Sequence, residues 1–464
     1  MKGRLAVNIR IPYLLYGIMV MACVPNAMRA YRNPYAVFSM EEKNRSLPVI
    51  PFSQLASITY ANRPSLQAFI ENIHRSAELE KKELALAFPQ ISVSGLAAKT
   101  DFQALLELPY PARQVTFGVN QLLWSFAGPL QQYRIQKSTT NVNEQAERFH
   151  RLAIRQESEQ TFLDALLNVR YQDYTKALDI SSRSVFAQAI NQNRIGFLSI
   201  TDWKQTEADF AVAQKEVLRY QDDLRKSFSF LERALSIPLL IEARNEIPRL
   251  LVDHGLLKFE VAPLENYLEH AIHLRPDLAG KAWEVDRAEK TSSFLMHKYA
   301  PVISFSFNVV RFNFDTRADG IVKQLTFQLA INASWNFDSF SSAHEASATE
   351  AETISAKMEQ LDLSLSIQRD VKAAYYDLQS LLKEVDAQKV SYVAAEALYT
   401  TLKHQFEVGQ ISQVEFAVAE TNWKEAQFTL DQKSINAEKR YRELLFTCGY
   451  PPEFESTKNP WSHT

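Results

Sequence analysis

Glycine is scarce in this chain, with 11 residues in 464, where roughly 7% would be ordinary usage. Neither Gly nor Pro occurs from 130 to 195, 197 to 237, 321 to 408 or 410 to 448, so Gly196 and Gly409 stand as lone interruptions. An all-β or doubly wound α/β domain needs turn residues far more often, and both are excluded. Very long helices remain, one of which over 130–195 would reach about 100 Å. Other absences narrow the function. The two cysteines, Cys23 and Cys448, lie at opposite ends, and nothing in their spacing suggests a disulfide framework or a zinc site. A balance of 51 Lys+Arg against 54 Asp+Glu gives net charge -3 and no draw toward nucleic acid. There is no Gly-rich phosphate loop, no Gly-x-Ser-x-Gly and no His-Glu-x-x-His. Glu269-His270 with His273 reads as solvated surface. No enzyme is expected, and no catalytic residue, metal ligand or cofactor.

Long apolar runs are also missing, except near the start. Lys2, Arg4 and Arg10 precede an apolar stretch from Ile11 to Cys23, short for a spanning helix and suited to an export signal, so 1–30 reads as a signal-peptide region. Val20-Met21-Ala22-Cys23 loosely matches a bacterial lipobox, which makes Cys23 a candidate lipid-attachment site. Contact with a membrane must come by some other route than a transmembrane helix.

What is present is written twice. Arg63-Pro64 is matched by Arg275-Pro276, and Phe88-Pro89-Gln90-Ile91-Ser92 by Ala300-Pro301-Val302-Ile303-Ser304, both at an offset of 212 residues. Trp124-Ser125-Phe126 with Trp335-Asn336-Phe337, Gly196 with Gly409, and Pro238 with Pro451 continue the series at 211 to 213. The first repeat spans 53–237, with strands about 90–102 and 114–126 and long helices about 130–195 and 202–236. A mixed connector, 238–263, leads to the second repeat, 264–450, with strands about 302–314 and 323–337 and long helices about 341–407 and 413–447. A tail, 451–464, follows. The long helices carry three-four stripes: Leu163, Leu167, Tyr171, Tyr174, Leu178 in one, and Val371, Tyr375, Leu378, Leu382, Val385 in the other. That spacing is a coiled-coil seam.

The short strands bear on the membrane. From 325 to 337, Leu325, Phe327, Leu329, Ile331, Ala333, Trp335 and Phe337 alternate with Thr326, Gln328, Ala330, Asn332, Ser334 and Asn336. Ile303, Phe305, Phe307 and Val309 alternate with Ser304, Ser306 and Asn308 in the strand before. A soluble half-buried sheet would show the same alternation. The lengths, however, approach the ~9–11 residues of a tilted membrane strand. Aromatics also bracket the apolar bands, Phe312 and Phe314 at one end, Trp124, Phe126, Trp335 and Phe337 at the other. Ser304, Ser306, Asn308, Gln328 and Asn332 would then line a water-filled lumen. Four strands cannot close a barrel of at least about 8, so chains must share one.

A duplicated helix–strand–strand–helix chain, with Arg275-Pro276-Asp277-Leu278 opening its second half and a Gly-marked helical turn in each, resembles the TolC-like outer membrane efflux proteins over roughly 53–450. The resemblance implies a mainly α fold with a membrane β-barrel portion: a long coiled-coil α-helical tunnel plus a 12-stranded β-barrel shared by a homotrimer. It implies a place in the bacterial outer membrane extending into the periplasm, with outer-membrane lipids, a periplasmic adaptor (membrane fusion) protein and, through it, an inner-membrane transporter as partners. Its function would be passive export of small molecules or proteins through the exit duct of a tripartite efflux or type I secretion system. A soluble or peripheral coiled-coil scaffold without a pore is the alternative. Gly196 and Gly409 suit left-handed helix ends, and Ser199 with Asp202 and Ser412 with Glu415 suit capping boxes. By the resemblance these turns form the periplasmic tip and contact the adaptor, with Thr201, Asp202, Phe406, Ile411 and Glu415 as gate candidates. Phe406 stands where the family pattern has a tyrosine, Ile411 where it has an arginine, and Val418 where it has an aspartate, so closure is expected to rest on apolar packing around Phe406 and Ile411.

Overall fold

The computed structural model describes Phe52 and residues 55–97, 111–236, 259–316, 320–335 and 340–449. The signal region with Cys23, most of the connector and the tail lie outside the described residues.

The first repeat runs α1 (Leu55–Asn62), α2 (Pro64–Ala85), β1 (Gln90–Ala97), β2 (Pro111–Trp124), α3 (Pro129–Arg194) and α4 (Ile200–Leu235). The second runs α5 (Leu264–Leu274), α6 (Pro276–Met296), β3 (Val302–Thr316), β4 (Gly320–Ser334), α7 (Ser341–Glu407) and α8 (Gln413–Thr447). Pro64, Pro129 and Pro276 each open a helix, where the missing N–H costs nothing and φ is already set. With 66 and 67 residues, α3 and α7 each extend about 100 Å. The three-four stripes explain how such helices persist: Leu163, Val371, Leu378 and Val385 are buried, and the tyrosines between them half-buried. Among the described residues no helix is long and apolar enough to cross a membrane.

α5 closes a local core in the second repeat. Its Tyr267 and Ala271 pack with Ile367, Val371, Ala374 and Leu378 of α7, Leu444 of α8, and Cys448. Burial pushes the Cys448 thiol up to about 12, so it behaves as a small apolar residue.

The Arg-Pro landmark has a structural meaning. Arg63 caps the last turn of α4, its guanidinium donating to the carbonyls of Arg233 and Ala234, both at 3.0 Å. Arg275 does the same for α8 through the Thr447 carbonyl at 3.2 Å, held by Asp277 at 2.5 and 2.9 Å. A cation on the terminal carbonyls offsets the helix dipole, worth about 0.3–1 kcal/mol. α2 therefore starts where α4 stops, and α6 where α8 stops, as jointed columns. Each long helix packs against its neighbours along these columns: α2 on α3, α3 on α6, α6 on α7, and, farther from the sheet, α4 on α3, α3 on α8 and α8 on α7.

The four strands form one antiparallel sheet in the order β1-β2-β3-β4. The repeats meet at its centre, where β2 pairs with β3 from Pro111↔Phe314 to Trp124↔Ile303. β1 and β4 are its edges.

Candidate channel wall and gate

Register assigns every strand side chain to one of two faces. One face carries Ser92, Gly118, Asn308 and Gln328 in a single row across the sheet, with Gln90, Asn120, Ser306 and Ala330 in the next. Ser304 and Asn332 pair directly above them. The five expected lumen residues thus share one face, and Asn332 Nδ2 donates to Ser306 Oγ at 3.1 Å. At Gly118 a Cβ would meet Asn308 Oδ1 at 2.7 Å and Ser92 Oγ at 2.8 Å, so both polar side chains would have to turn aside.

On the central strands the polar face is the better covered: Ser306 of β3 is 7% and Val310 9% exposed, while Val115 and Phe117 on the apolar face of β2 are 52% and 41% exposed. On the edge strands both faces are exposed, Ile91 at 69% and Phe327 at 66% beside exposed Ser92 and Gln328. Val93, Leu325, Leu329 and Ile331 complete the exposed apolar face. Each such side chain left in water forgoes about 1.5–3 kcal/mol. Over eight of them the loss is on the order of 10–20 kcal/mol, comparable to the whole stability of a domain. Lipid removes that cost. Trp124, Phe126 and Trp335 stand exposed at one end of the band, as an interfacial girdle does; the side chains of Phe312 and Phe314, and all of Phe337, lie outside the described residues.

At the far end of the long helices sit the two turns. Gly196 has φ +75° and Gly409 φ +76°, and each closes a Schellman motif. The Phe197 N–H reaches the Gln192 carbonyl at 2.9 Å, and the Gln410 N–H the Gln405 carbonyl at 2.8 Å. Ser412 and Glu415 form a full capping box at 3.2 and 2.8 Å. The Ser412 backbone N–H donating to the Glu415 carboxylate, and after it the Ser412 hydroxyl, hold that carboxyl below its ordinary range. The first repeat differs. Ser199 Oγ accepts from the Asp202 N–H at 3.1 Å but donates to Asp202 Oδ2 at 2.7 Å, so the reciprocal backbone bond is replaced. Aspartate is one methylene shorter than glutamate and turns to the hydroxyl instead.

Thr201 and Asp202 thus share one hairpin, and Phe406, Ile411 and Glu415 the other. Phe406 stacks on Phe416 across its own hairpin, centroids 4.7 Å apart at 9°. Val418 lines a shallow cleft between α7 and α8 with Leu398, Tyr399, Leu402, Glu415 and Trp423. Ile411 is half-buried.

Two aromatic triads behind these turns escaped the sequence reading. Phe186 stacks on Trp203 and Phe210 at 5.6 and 4.4 Å, and Tyr399 on Phe416 and Trp423 at 5.9 and 4.5 Å. The members correspond one to one at the same 213-residue offset that relates the glycines. That offset was the signal that could have found them. Each triad clasps the outgoing helix of a hairpin to the returning one.

Comparison with known proteins agrees with this architecture. Residues 267–444 match the family described as outer membrane efflux protein. Among curated proteins none matches the sequence. Among solved structures, the Campylobacter jejuni CmeC outer membrane channel is similar with TM-score 0.69 at 14% identity, over 88% of this chain and 87% of that one. The Vibrio cholerae outer membrane protein VceC gives 0.65 at 14%, over 86% and 96%. The open state of the Neisseria gonorrhoeae MtrE outer membrane channel gives 0.63 at 13%, over 86% and 88%. Residues 267–444 therefore form a domain of the outer membrane efflux protein family, in a chain that has the fold of outer-membrane channels over most of its length.

Proposed function

We propose that this chain is the outer-membrane exit duct of a tripartite efflux or type I secretion system, a passive channel from the periplasmic side to the outside. The observation that carries this is the sheet's exposed apolar face, set against a polar face that is covered on the central strands, with both edges unclosed among the described residues. Open edges in lipid leave backbone groups unsatisfied, at several kcal/mol each. Copies of the chain satisfy them by pairing β4 of one with β1 of the next. Three copies supply twelve strands, the count carried by the family resemblance. The partners are a periplasmic adaptor, seated on the turns at Gly196 and Gly409, and an inner-membrane transporter reached through it. By the family resemblance, selection of cargo falls to the transporter.

Thr201, Asp202, Phe406, Ile411 and Glu415 serve as the periplasmic gate in this reading. Phe406 has no phenol hydroxyl and Ile411 no guanidinium, so a charge-assisted lock between them cannot form. Apolar packing takes its place. Fractionation and electrical recording test the whole. The protein is expected in the urea-resistant outer-membrane fraction as heat-modifiable trimers that conduct in planar bilayers. A soluble product without conductance, the behaviour of a coiled-coil scaffold, would refute the assignment.

A further inference from the structure

Three basic residues stand on the greasy face of the sheet, where charge is not expected. Arg311 of β3 is paired in register with Val115 of β2 and Leu325 of β4, both on the exposed apolar face, and is itself exposed. One row farther from the helices, Arg113 of β2 and Lys323 of β4 hold the register positions on either side of Asn313, on that same face. Asp315 is the one acid in these rows of the face, which leaves the patch net basic.

The opposite face is neutral at the same level. Gln114, Phe312 and Gln324 form its row there. A membrane strand ordinarily keeps its lipid side uncharged and places polar groups toward the lumen. Here the cations are on the lipid side, so what offsets them must come from outside the barrel.

Their height says what that is. From Leu325 to Trp335 the apolar face runs ten residues, about 34 Å of strand. At a tilt near 40° this rises about 25 Å, the height of a membrane barrel's apolar band. Trp124 and Trp335 stand exposed at the helical end of that band, and the basic rows close its other end. A cation is costly at mid-bilayer and nearly free of cost at the interface, so these rows belong at headgroup level. Arg113 and Lys323 lie two strand spacings apart, about 10 Å, with Arg311 one row below them. Three cations within one headgroup's breadth complement a multiply phosphorylated lipid.

We infer that Arg113, Arg311 and Lys323 form a docking patch for the phosphate groups of an acylated glycolipid in the outer leaflet, its chains lying along Val115, Leu325 and Phe327. The inference rests on the exit-duct reading, which makes the end of the sheet remote from the helices the outer one. Phosphorylated glycolipid is the lipid of that leaflet in a bacterial outer membrane, which favours it over a phospholipid.

Lipid retention by the purified full-length trimer tests it. The trimer should hold lipopolysaccharide through gel filtration, and should hold neither its dephosphorylated form nor phosphatidylglycerol as well. Arg113→Gln with Arg311→Gln and Lys323→Gln should weaken retention on the order of 100-fold. Arg311→Lys should keep it, as should Lys298→Gln, which removes a cation at the helical end of the sheet. If the triple variant does not assemble, Arg311→Gln alone decides, with a loss of roughly fivefold expected. Conducting trimers that hold the dephosphorylated lipid or phosphatidylglycerol equally well, or whose retention survives the loss of the cations, overturn the patch and leave the exit-duct reading standing. A chain that forms no trimer in the outer membrane overturns both.

Discussion

Among the described residues three glycines end helices with φ near +70°, and their surroundings rank what substitution would do. Gly196 and Gly409 face open space, with nothing within 4 Å of an added Cβ. Alanine there costs only left-handed strain, about 1–2 kcal/mol. Gly449 has the same conformation, but its Cβ would lie 3.0 Å from Arg275 Cα, a backbone atom that cannot step aside. Gly449→Ala should therefore lower the thermal midpoint clearly more than Gly409→Ala, as read by loss of trimer on heating. Ser236, at the matching joint of the first repeat, holds φ 54° without glycine, so the constraint is the close approach and not the turn. Asp431 makes a different prediction. Burial first, with Asp173 adding to it and Arg170 opposing, raises its carboxyl above the ordinary value. An acid raised in the folded state contributes stability at low pH that is lost as pH climbs through the raised value. Asp431→Asn should thus melt higher than the parent at neutral pH, and the advantage should vanish in acid, where the parent carboxyl is also neutral.

At the scale of the hairpin, the aromatic clasps and the gate can be separated. Trp423→Ala removes the 4.5 Å stack on Tyr399 and should cost roughly 2 kcal/mol, below the ~3–5 of a fully buried aromatic. Hydrogen exchange should quicken along Leu402–Trp423 and remain unchanged in α6, because opening is local. Ile411→Asp should raise the conductance of the closed channel, since a carboxylate cannot join an apolar seal; an unaltered closed-state conductance would sink apolar closure. Helix ends were legible for definite reasons. Glycine can occupy the left-handed position cheaply, and Ser412 with Glu415 spells a capping box, so the turns announced themselves. Ser236 did not, because nothing in a serine marks a left-handed residue. The reach of Arg63 to α4 was equally hidden, since it joins residues 170 apart. Strand faces were readable from period-two alternation. Which face met water was not, because alternation is the same in a soluble sheet; a whole apolar face left exposed, the central-strand Val115 and Phe117 included, separates the two.

For the whole molecule, the two faces of β4 offer a paired experiment. Phe327→Arg puts a cation on the greasy side, costing about 2–4 kcal/mol per chain near mid-bilayer, and should deplete the protein from the outer-membrane fraction. Gln328→Arg, the very next residue but on the polar face, should leave assembly intact and shift ion preference toward anions. Equal behaviour of the two variants would contradict the facing. The duplication has a consequence for counting. Phe197 and Ile200 are 84% and 83% exposed on the first turn, while Gln410 and Gln413 hold the equivalent places on the second. A ring of three chains therefore displays six hairpin ends alternating between oily and amide-tipped. A partner whose identical subunits seat on both turns would meet two environments, one oily and one amide-tipped, and should fill them in two steps.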